Sequence, residues 1–405
     1  MIIFDDNPSA FYPLSLTRSI GDLRCGILKL RQRLQSLLSD DKDEPEHLWL
    51  EGRLADIYSE RHPQWLINQD AQVGELLVNS RLIPSPENIK QVKQLKPGQS
   101  LISEAALVAL RLNTALPFTP QSLKEMQRAS EEIPGESQML FRHIPDLINA
   151  VEGLIRQDFE MYFYDQDSSF ETEPGVTVLN PYSVWLGDGV QLKPGVVLDA
   201  SEGPIVIDED VLVMPNAVII GPAYIGKNSI IKIAAKIYPG TSIGPVCKIG
   251  GEVENCIFQA YSNKQHDGFL GHSFVGEWVN IGADTNNSDL KNTYDEVSFY
   301  SYPAGRKIDS GTMFMGCVIG DHTKLGINCS INTGTVIGVA ANLWGNPLID
   351  GFIPDFSWGM ANDLRPYRTP AFMHTAQHVK QRRKLNLSAA EKELYSRIAK
   401  LDYGD

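Results

Sequence analysis

The residues between His266 and Lys291 have the most chemistry to offer. His266, Asp267, His272, Asp289 and Lys291 fall there among Gly268, Gly271, Gly276 and Gly282. An imidazole with an ordinary pKa near about 6.5 can take a proton from a nucleophile at cellular pH. Backbone N–H groups at a glycine corner can donate to an oxyanion. Basic residues nearby in sequence, Arg306, Lys307 and Lys324, can hold an anionic group. Proton abstraction, oxyanion stabilisation and anion binding within one stretch suit group transfer.

Something must position these groups, and a six-residue period does so. Leu186 and Leu192 set the step, and Ile207, Val213, Ile219, Ile225, Ile231, Ile237, Ile243 and Ile249 keep it. Four positions after each of that second set stands a mostly small residue: Val211, Ala217, Ala223, Ser229, Ala235, Thr241, Cys247, Val253. No helix has period six, and a simple alternating strand would not spare the positions between. The pattern returns at Val275 and Ile281, then at Ile319, Leu325, Ile331 and Ile337. It predicts a solenoid of triangular section, about six residues per face, whose stacked coils bury one continuous core.

The pattern resembles the left-handed parallel β-helix of hexapeptide acyltransferases, and the handedness is what the resemblance implies. His266, Leu270-Gly271, Val279-Asn280-Ile281-Gly282-Ala283, Thr285 and Lys291 are similar, in order, to the acetyltransferase domain of the bacterial bifunctional enzyme that makes UDP-N-acetylglucosamine. The likeness covers roughly residues 180 to 345, with Ile319-Gly320-Asp321, Leu325-Gly326, Ile331 and Ile337-Gly338 matching the closing turns. It implies acetyl-CoA-dependent N-acetylation of an amino-sugar phosphate such as glucosamine 1-phosphate. His266 is then the base and Asp267 a candidate to orient it. Lys291 holds phosphate, Arg306, Lys307 and Lys324 are basic neighbours, and Asn286 and Asn287 either bind sugar hydroxyls or cap a turn. In that family acceptor and coenzyme lie between the solenoids of a homotrimer. Asp284 stands where the family has a glycine, and Asp289 stands near its sugar-loop asparagine. A second resemblance, to the zinc-dependent carbonic anhydrases of this fold, would require His266, His272 and His322 as ligands, but their spacing departs from that family's closely placed pair.

Ahead of the solenoid, residues 1–165 read as an α/β domain. Ile2–Phe4, His47–Leu50, Glu75–Asn79 and Ala106–Leu112 are strand-like, and Gly21–Leu38 and Pro120–Ser130 helix-like, which predicts a parallel sheet with crossover helices. Leu147, Ile148, Val151, Leu154 and Ile155 predict a closing helix, and 166–175 a linker. The run Leu16-Thr17-Arg18 with Asp22-Leu23-Arg24-Cys25-Gly26 resembles sugar nucleotidyltransferases. The fold class implied is a Rossmann-like nucleotidyltransferase domain followed by the β-helix (176–360) and a short helical tail (361–405). The resemblance implies Arg18, Arg24 and Asn79 at a UTP or dTTP site, and Asp5 or Asp6 holding Mg2+. Ser19-Ile20 replaces that family's Pro-Lys pair, and Asn79-Ser80-Arg81 its Asn-Gly-Asp. The alternative function is nucleotidyl transfer alone, thymidylyl or uridylyl, with the solenoid used for trimer assembly. A catalytically silent scaffold is a third.

In the tail, Ser388-Ala-Ala-Glu391 predicts a capped helix, 344–358 a lid over the last coil, and Lys380-Gln-Arg-Arg-Lys384 either a solvated face or a contact for coenzyme A phosphates. A net charge of −14 argues against nucleic acid as partner and requires local cations wherever a phosphate binds. No apolar run is long enough to span a membrane, and Met1–Asn7 lacks the features of a signal peptide. Five cysteines without CxxC spacing suit a reducing cytoplasm.

Overall fold

The computed structural model describes residues 1–39, 45–119, 121–164, 166 and 172–401. Part of the linker expected at 166–175 lies outside them. The N-terminal domain is built on strands β1 (Ile2–Phe4), β2 (His47–Trp49), β3 (Leu66–Ile67), β4 (Leu76–Asn79), β5 (Gln99–Ser103), β6 (Ala106–Arg111) and β7 (Glu131–Pro134), in the order β3-β2-β1-β4-β6-β5-β7. Its helices are α1 (Leu30–Leu38), α2 (Gly52–Arg61), α3 (Pro86–Lys93), α4 (Ser122–Ala129) and α5 (Ile144–Tyr162).

The expected all-parallel sheet is corrected to a mixed one. β1 pairs in parallel with β2 and β4, but β6 runs antiparallel to both β4 and β5. The reason is local. Glu104 and Ala105 alone join β5 to β6, both with positive φ (49° and 65°), and a two-residue turn of that kind makes a hairpin and never a crossover. The expected helix over 21–38 forms only from Leu30. Before it, Ile20–Asp22 is a short 3-10 turn, and Gly26 takes φ +82°.

From residue 177 the chain winds into the left-handed β-helix. Three sheets of nine, ten and six strands, parallel except for the last strand of the ten, form the faces of the prism, visited in that order by each coil. Ile207, Ile225 and Ile243 are in register across successive coils of the nine-strand face. Every aliphatic residue from Ile207 to Ile249 in the six-residue series is buried in one core, as are the small residues four positions on. Each such isoleucine contributes on the order of 1.5–3 kcal/mol by leaving water. Corners are close-packed: a Cβ at Gly244 would lie 1.9 Å from the Gln259 carbonyl oxygen.

Two insertions shape the outside. One carries an antiparallel hairpin, Ser298–Ser301 with Arg306–Asp309, that packs Val297, Phe299 and Tyr302 against the N-terminal domain. The outward residues of the nine-strand face, Val206, Tyr224, Ile257, Phe274, Val318 and Val336, join the same apolar cluster with α5 and with Phe11, Leu14, Ile20 and Leu23. This face therefore docks the N-terminal domain.

The stretch 344–358 expected as a lid instead continues the coils, as Phe352–Ile353 and the start of Ser357–Met360, and it is Asp363–Pro366, antiparallel to Ser357–Met360, that closes the edge. Helices α6 (Thr369–Gln381) and α7 (Ala389–Ile398) follow. Ser388 and Glu391 form the expected capping box, and α7 packs on α2, where Arg61 meets Glu391 at 2.7 Å.

Candidate active site

His266 sits at the corner between the ten-strand and six-strand faces, between strands Asn263–Lys264 and Phe269–Gly271, and it is exposed. What holds that corner is a departure from the six-residue pattern. Lys264 pairs in register with Ile249 and occupies the inward position where the coils otherwise bury an aliphatic side chain. Its ammonium donates to the carbonyl oxygens of Gly250 (3.0 Å), His266 (3.2 Å) and Gly268. Burial pushes the Lys264 amine down to about 8. A charged donor to three carbonyls, each bond worth about 1.5–3 kcal/mol, converts a loose corner into a fixed one.

Exposed apolar residues share this edge. Ile233 and Ile327, at the same corner two coils before and two coils after His266, are 59% and 66% exposed. Asn286 and Asn287 lie on the six-strand side as the next strand. Asn286 Oδ1 accepts from Phe269 N and its Nδ2 donates to the Asp284 carbonyl. Asn287 is buried, accepts from Gly271 N at 2.8 Å and donates to Gly271 O and Ser273 Oγ. These contacts are turn and strand bonding, and they leave Asn286 exposed.

Lys291 lies beyond the opposite edge of the six-strand side. With Lys307, Asn332, Thr333 and Asp350 it lines a cavity of about 490 Å3, and its amine donates to the Glu296 carbonyl. Arg306 is exposed on the hairpin. Within one chain the fold thus brings Lys291 and Lys307 together, but sets His266 and Lys291 at different corners. Lys324 is on the ten-strand face, donating to the carbonyls of His322 and Trp278.

A second histidine of the same stretch has the more enzyme-like surroundings. His272, at the corner near Lys291, has Nδ1 2.8 Å from Asp289 Oδ2 and stacks on Phe314. Asp289 holds the ring in one tautomer, the arrangement a general base uses. The signal in the sequence was Asp289 itself, standing near the family's asparagine. His322 is buried, with Trp278 stacked on it and Phe372 and Tyr395 edge-on, and burial drives its pKa far down. Among the described residues no group of three or more His, Cys, Asp and Glu could hold a metal ion, so the three histidines do not converge.

Of the expected nucleotide residues of the N-terminal domain, Arg18 and Arg24 meet the solenoid. Arg18 is buried and forks onto Asp321 (Nη1 to Oδ1 3.0 Å, Nη2 to Oδ2 2.5 Å), with Glu277 at 3.4 Å. Arg24 lies over the Tyr224 ring, 5.1 Å from its centroid, and its backbone N–H donates to Gln259. Asn79 donates to the Leu107 carbonyl and accepts from Arg81 N. Both oxygens of Asp6 are taken by Arg81. Asp5 accepts from Ser19, Ser80 and Ile20 N, and burial pushes its carboxyl up to about 6. An aspartate whose oxygens already accept from Ser19, Ser80 and Ile20 N, and one neutralised by arginine, do not fit a Mg2+ site.

Comparison with known proteins bears on both halves. Residues 1–166 match the family model described as sugar nucleotidyl transferase. The chain is 34% identical over 170 residues to the bifunctional protein GlmU of Nocardia farcinica, covering 36% of this chain and 34% of that protein. It is 32% identical over 151 residues to the bifunctional sugar-1-phosphate nucleotidylyltransferase/acetyltransferase of Sulfurisphaera tokodaii, 37% of each chain. An uncharacterized acetyltransferase, YaiX of Escherichia coli O6:K15:H31, is 30% identical over 177 residues, 43% of this chain and 76% of its own. The chain spans about a third of the length of the two bifunctional relatives.

Proposed function

We propose that the chain, which belongs to the family of the acetyltransferase YaiX and carries a sugar nucleotidyl transferase domain over residues 1–166, is a transferase of sugar-nucleotide biosynthesis whose solenoid acetylates the amine of an amino-sugar phosphate from acetyl-CoA. His266 takes a proton from the neutral amine as its nitrogen attacks the thioester carbonyl. The C–N bond forms, the tetrahedral oxyanion collapses, the C–S bond breaks, and the imidazolium returns its proton to the departing thiolate. Lys291 and Lys307 hold the acceptor phosphate. The observation carrying this reading is the His266 corner: an exposed imidazole on a loop that Lys264 pins by three carbonyls.

Since His266 and Lys291 occupy different corners of one chain, the reading requires the Lys291 corner of a second copy to approach the His266 edge. The exposed Ile233 and Ile327 on the same edge as His266, two coils to either side, support a homotrimer closed along that edge. We place the reaction in the cytoplasm, which suits five buried cysteines without disulfides. Among the described residues no helix is long and apolar enough to cross a membrane.

The N-terminal domain is, in this reading, a divergent sugar-1-phosphate nucleotidyltransferase acting on UTP or dTTP. No metal step is drawn through Asp5 and Asp6, which are already spent. A second base is favoured by one contact, the His272–Asp289 pair at 2.8 Å. Free-thiol release from acetyl-CoA with glucosamine 1-phosphate tests all of this. We expect turnover in the unaltered protein and a fall of about 100-fold or more in His266→Ala. Loss in His272→Ala with His266→Ala unaffected would transfer the role to His272. No thiol release with any of several amino-sugar phosphates would overturn the acyl-transfer reading, and pyrophosphate release from UTP or dTTP would then be the activity to measure.

A further inference from the structure

The ten-strand face and the end of α6 enclose a cleft of about 340 Å3 to which neither reaction above assigns a ligand. Lys248, Lys324, Arg382 and Arg383 line it, together with the amides Asn263, Gln265 and Asn280 and the rings of Tyr261 and Trp278. No aspartate or glutamate is among the described residues lining it. In a chain of net charge −14, four basic side chains gathered without a carboxylate are costly unless something compensates them.

The protein itself compensates little. Arg383 reaches only the neutral Asn263 Oδ1, at 3.3 Å, and Lys324 only backbone carbonyls. Lys248 is pushed down by burial and by the like charges of Arg383, Lys232 and Arg382. Burial pushes the Lys324 amine down to about 7, and the C-terminal end of α6 presents about half a negative charge to Arg382 and Arg383, short of the charge that these two and Lys248 carry. The neighbouring Lys380 behaves differently and shows the contrast. It is buried on Glu391 and thus neutralised within the tail.

We propose that this cleft, built within a single chain, is a binding site for a small molecule carrying a di- or polyphosphate. Its size exceeds what one phosphate needs and falls in the range of small-molecule sites. The guanidinium groups of Arg382 and Arg383 suit forked contacts to phosphate oxygens, and the amides can take the remaining polar groups. Such an anion could come from coenzyme A or from a nucleoside triphosphate, and the cleft recognises what they share. Gln265, in its lining, is bonded directly to His266, so an occupant would lie beside the corner described above.

The test is isothermal titration of the full chain with inorganic pyrophosphate, with UTP and with coenzyme A, with no acceptor sugar present. Binding is then read independently of acetyl transfer. We expect saturable binding that weakens with added salt, and about tenfold or more weaker binding in Arg382→Gln/Arg383→Gln and in Lys248→Gln. The second variant stands on a solenoid strand, so a folding defect in one does not silence the test. Whichever of UTP and coenzyme A binds more tightly than pyrophosphate identifies the source. Absence of binding by all three, or unchanged affinity in both variants, overturns the proposal.

Discussion

The contact between Arg18 and Asp321 should behave as one unit that neither half of the molecule can lose alone. Asp321 is 2% exposed and receives four donors: Thr17 Oγ1 at 2.8 Å, both Arg18 Nη groups, and Glu277 N at 2.8 Å. In Asp321→Ala the guanidinium of Arg18 stays buried with only Glu277, at 3.4 Å, to face it. Removing one partner of a buried pair costs about 3–5 kcal/mol. The remaining Glu277 places Asp321→Ala toward the lower end, about 3 kcal/mol. Arg18→Met leaves the carboxylate two neutral donors, Thr17 and Glu277 N, and should cost a similar amount. The double variant leaves no unpaired charge, so it should cost less than the sum of the singles, with a coupling of about 2–3 kcal/mol. Urea unfolding of the four proteins, followed by far-ultraviolet circular dichroism and tryptophan fluorescence, measures the cycle. The two probes also reveal whether the domains begin to unfold separately once the pair is cut. Single variants costing under about 1 kcal/mol, or a strictly additive double, would refute the view that this pair joins the domains.

Two further outcomes follow from other buried groups. Lys264→Met keeps the bulk of the side chain but strands the carbonyls of Gly250, His266 and Gly268; we expect about 2–3 kcal/mol lost in urea unfolding, and thiol release per folded molecule reduced as the His266 corner loosens. Turnover per folded molecule equal to the unaltered protein's would show that the corner does not depend on Lys264. Burial, with the charges of Lys324, Lys380, Arg18 and Arg61 around it, keeps His322 neutral in the folded chain, so below its ordinary pKa of about 6.5 the unfolded chain binds one proton more. Stability is therefore fully present above that pH and is lost as the pH falls, by up to about 1.4 kcal/mol per pH unit. His322→Asn should flatten the urea-midpoint profile between about pH 5 and 6.5, and superimposable profiles would count against a buried neutral imidazole.

The solenoid was legible because its signal repeats: Ile207 through Ile249 report the same inward position coil after coil, and all are buried. The sites where the period broke were opaque for the same reason. Lys264 fills an inward slot in which a charged residue reads as an interruption, and only three-dimensional pairing with Ile249 reveals its place. Tyr261, Trp278 and His322 take equivalent left-handed corners, with φ of 54°, 61° and 60°, and their rings stack on one another. An insertion separates the last two in sequence, so no window could align them. Arg18 and Arg24 carried the right charge for a phosphate site, but charge does not say whether a cation meets solvent or another domain. His272 and Asp289 are 17 residues apart and become a pair only because successive coils stack. The β5–β6 hairpin was missed because its turn is Glu104-Ala105, without the Asn-Gly or Asp-Gly that usually marks such a turn. Conversely, Ser388 and Glu391 marked the start of α7 because the capping signal lies within four residues.

The return of α7 to α2 also sets a timetable for biosynthesis. The Arg61–Glu391 contact joins residues 330 positions apart. At the usual pace of translation that separation corresponds to on the order of tens of seconds. During that interval α2 has been made while its packing partner does not yet exist, and the apolar surface beneath α6 and α7 stands open on the nascent chain. Chaperone occupancy on the ribosome should therefore persist through synthesis of the whole solenoid and fall only once residues 389–398 have emerged.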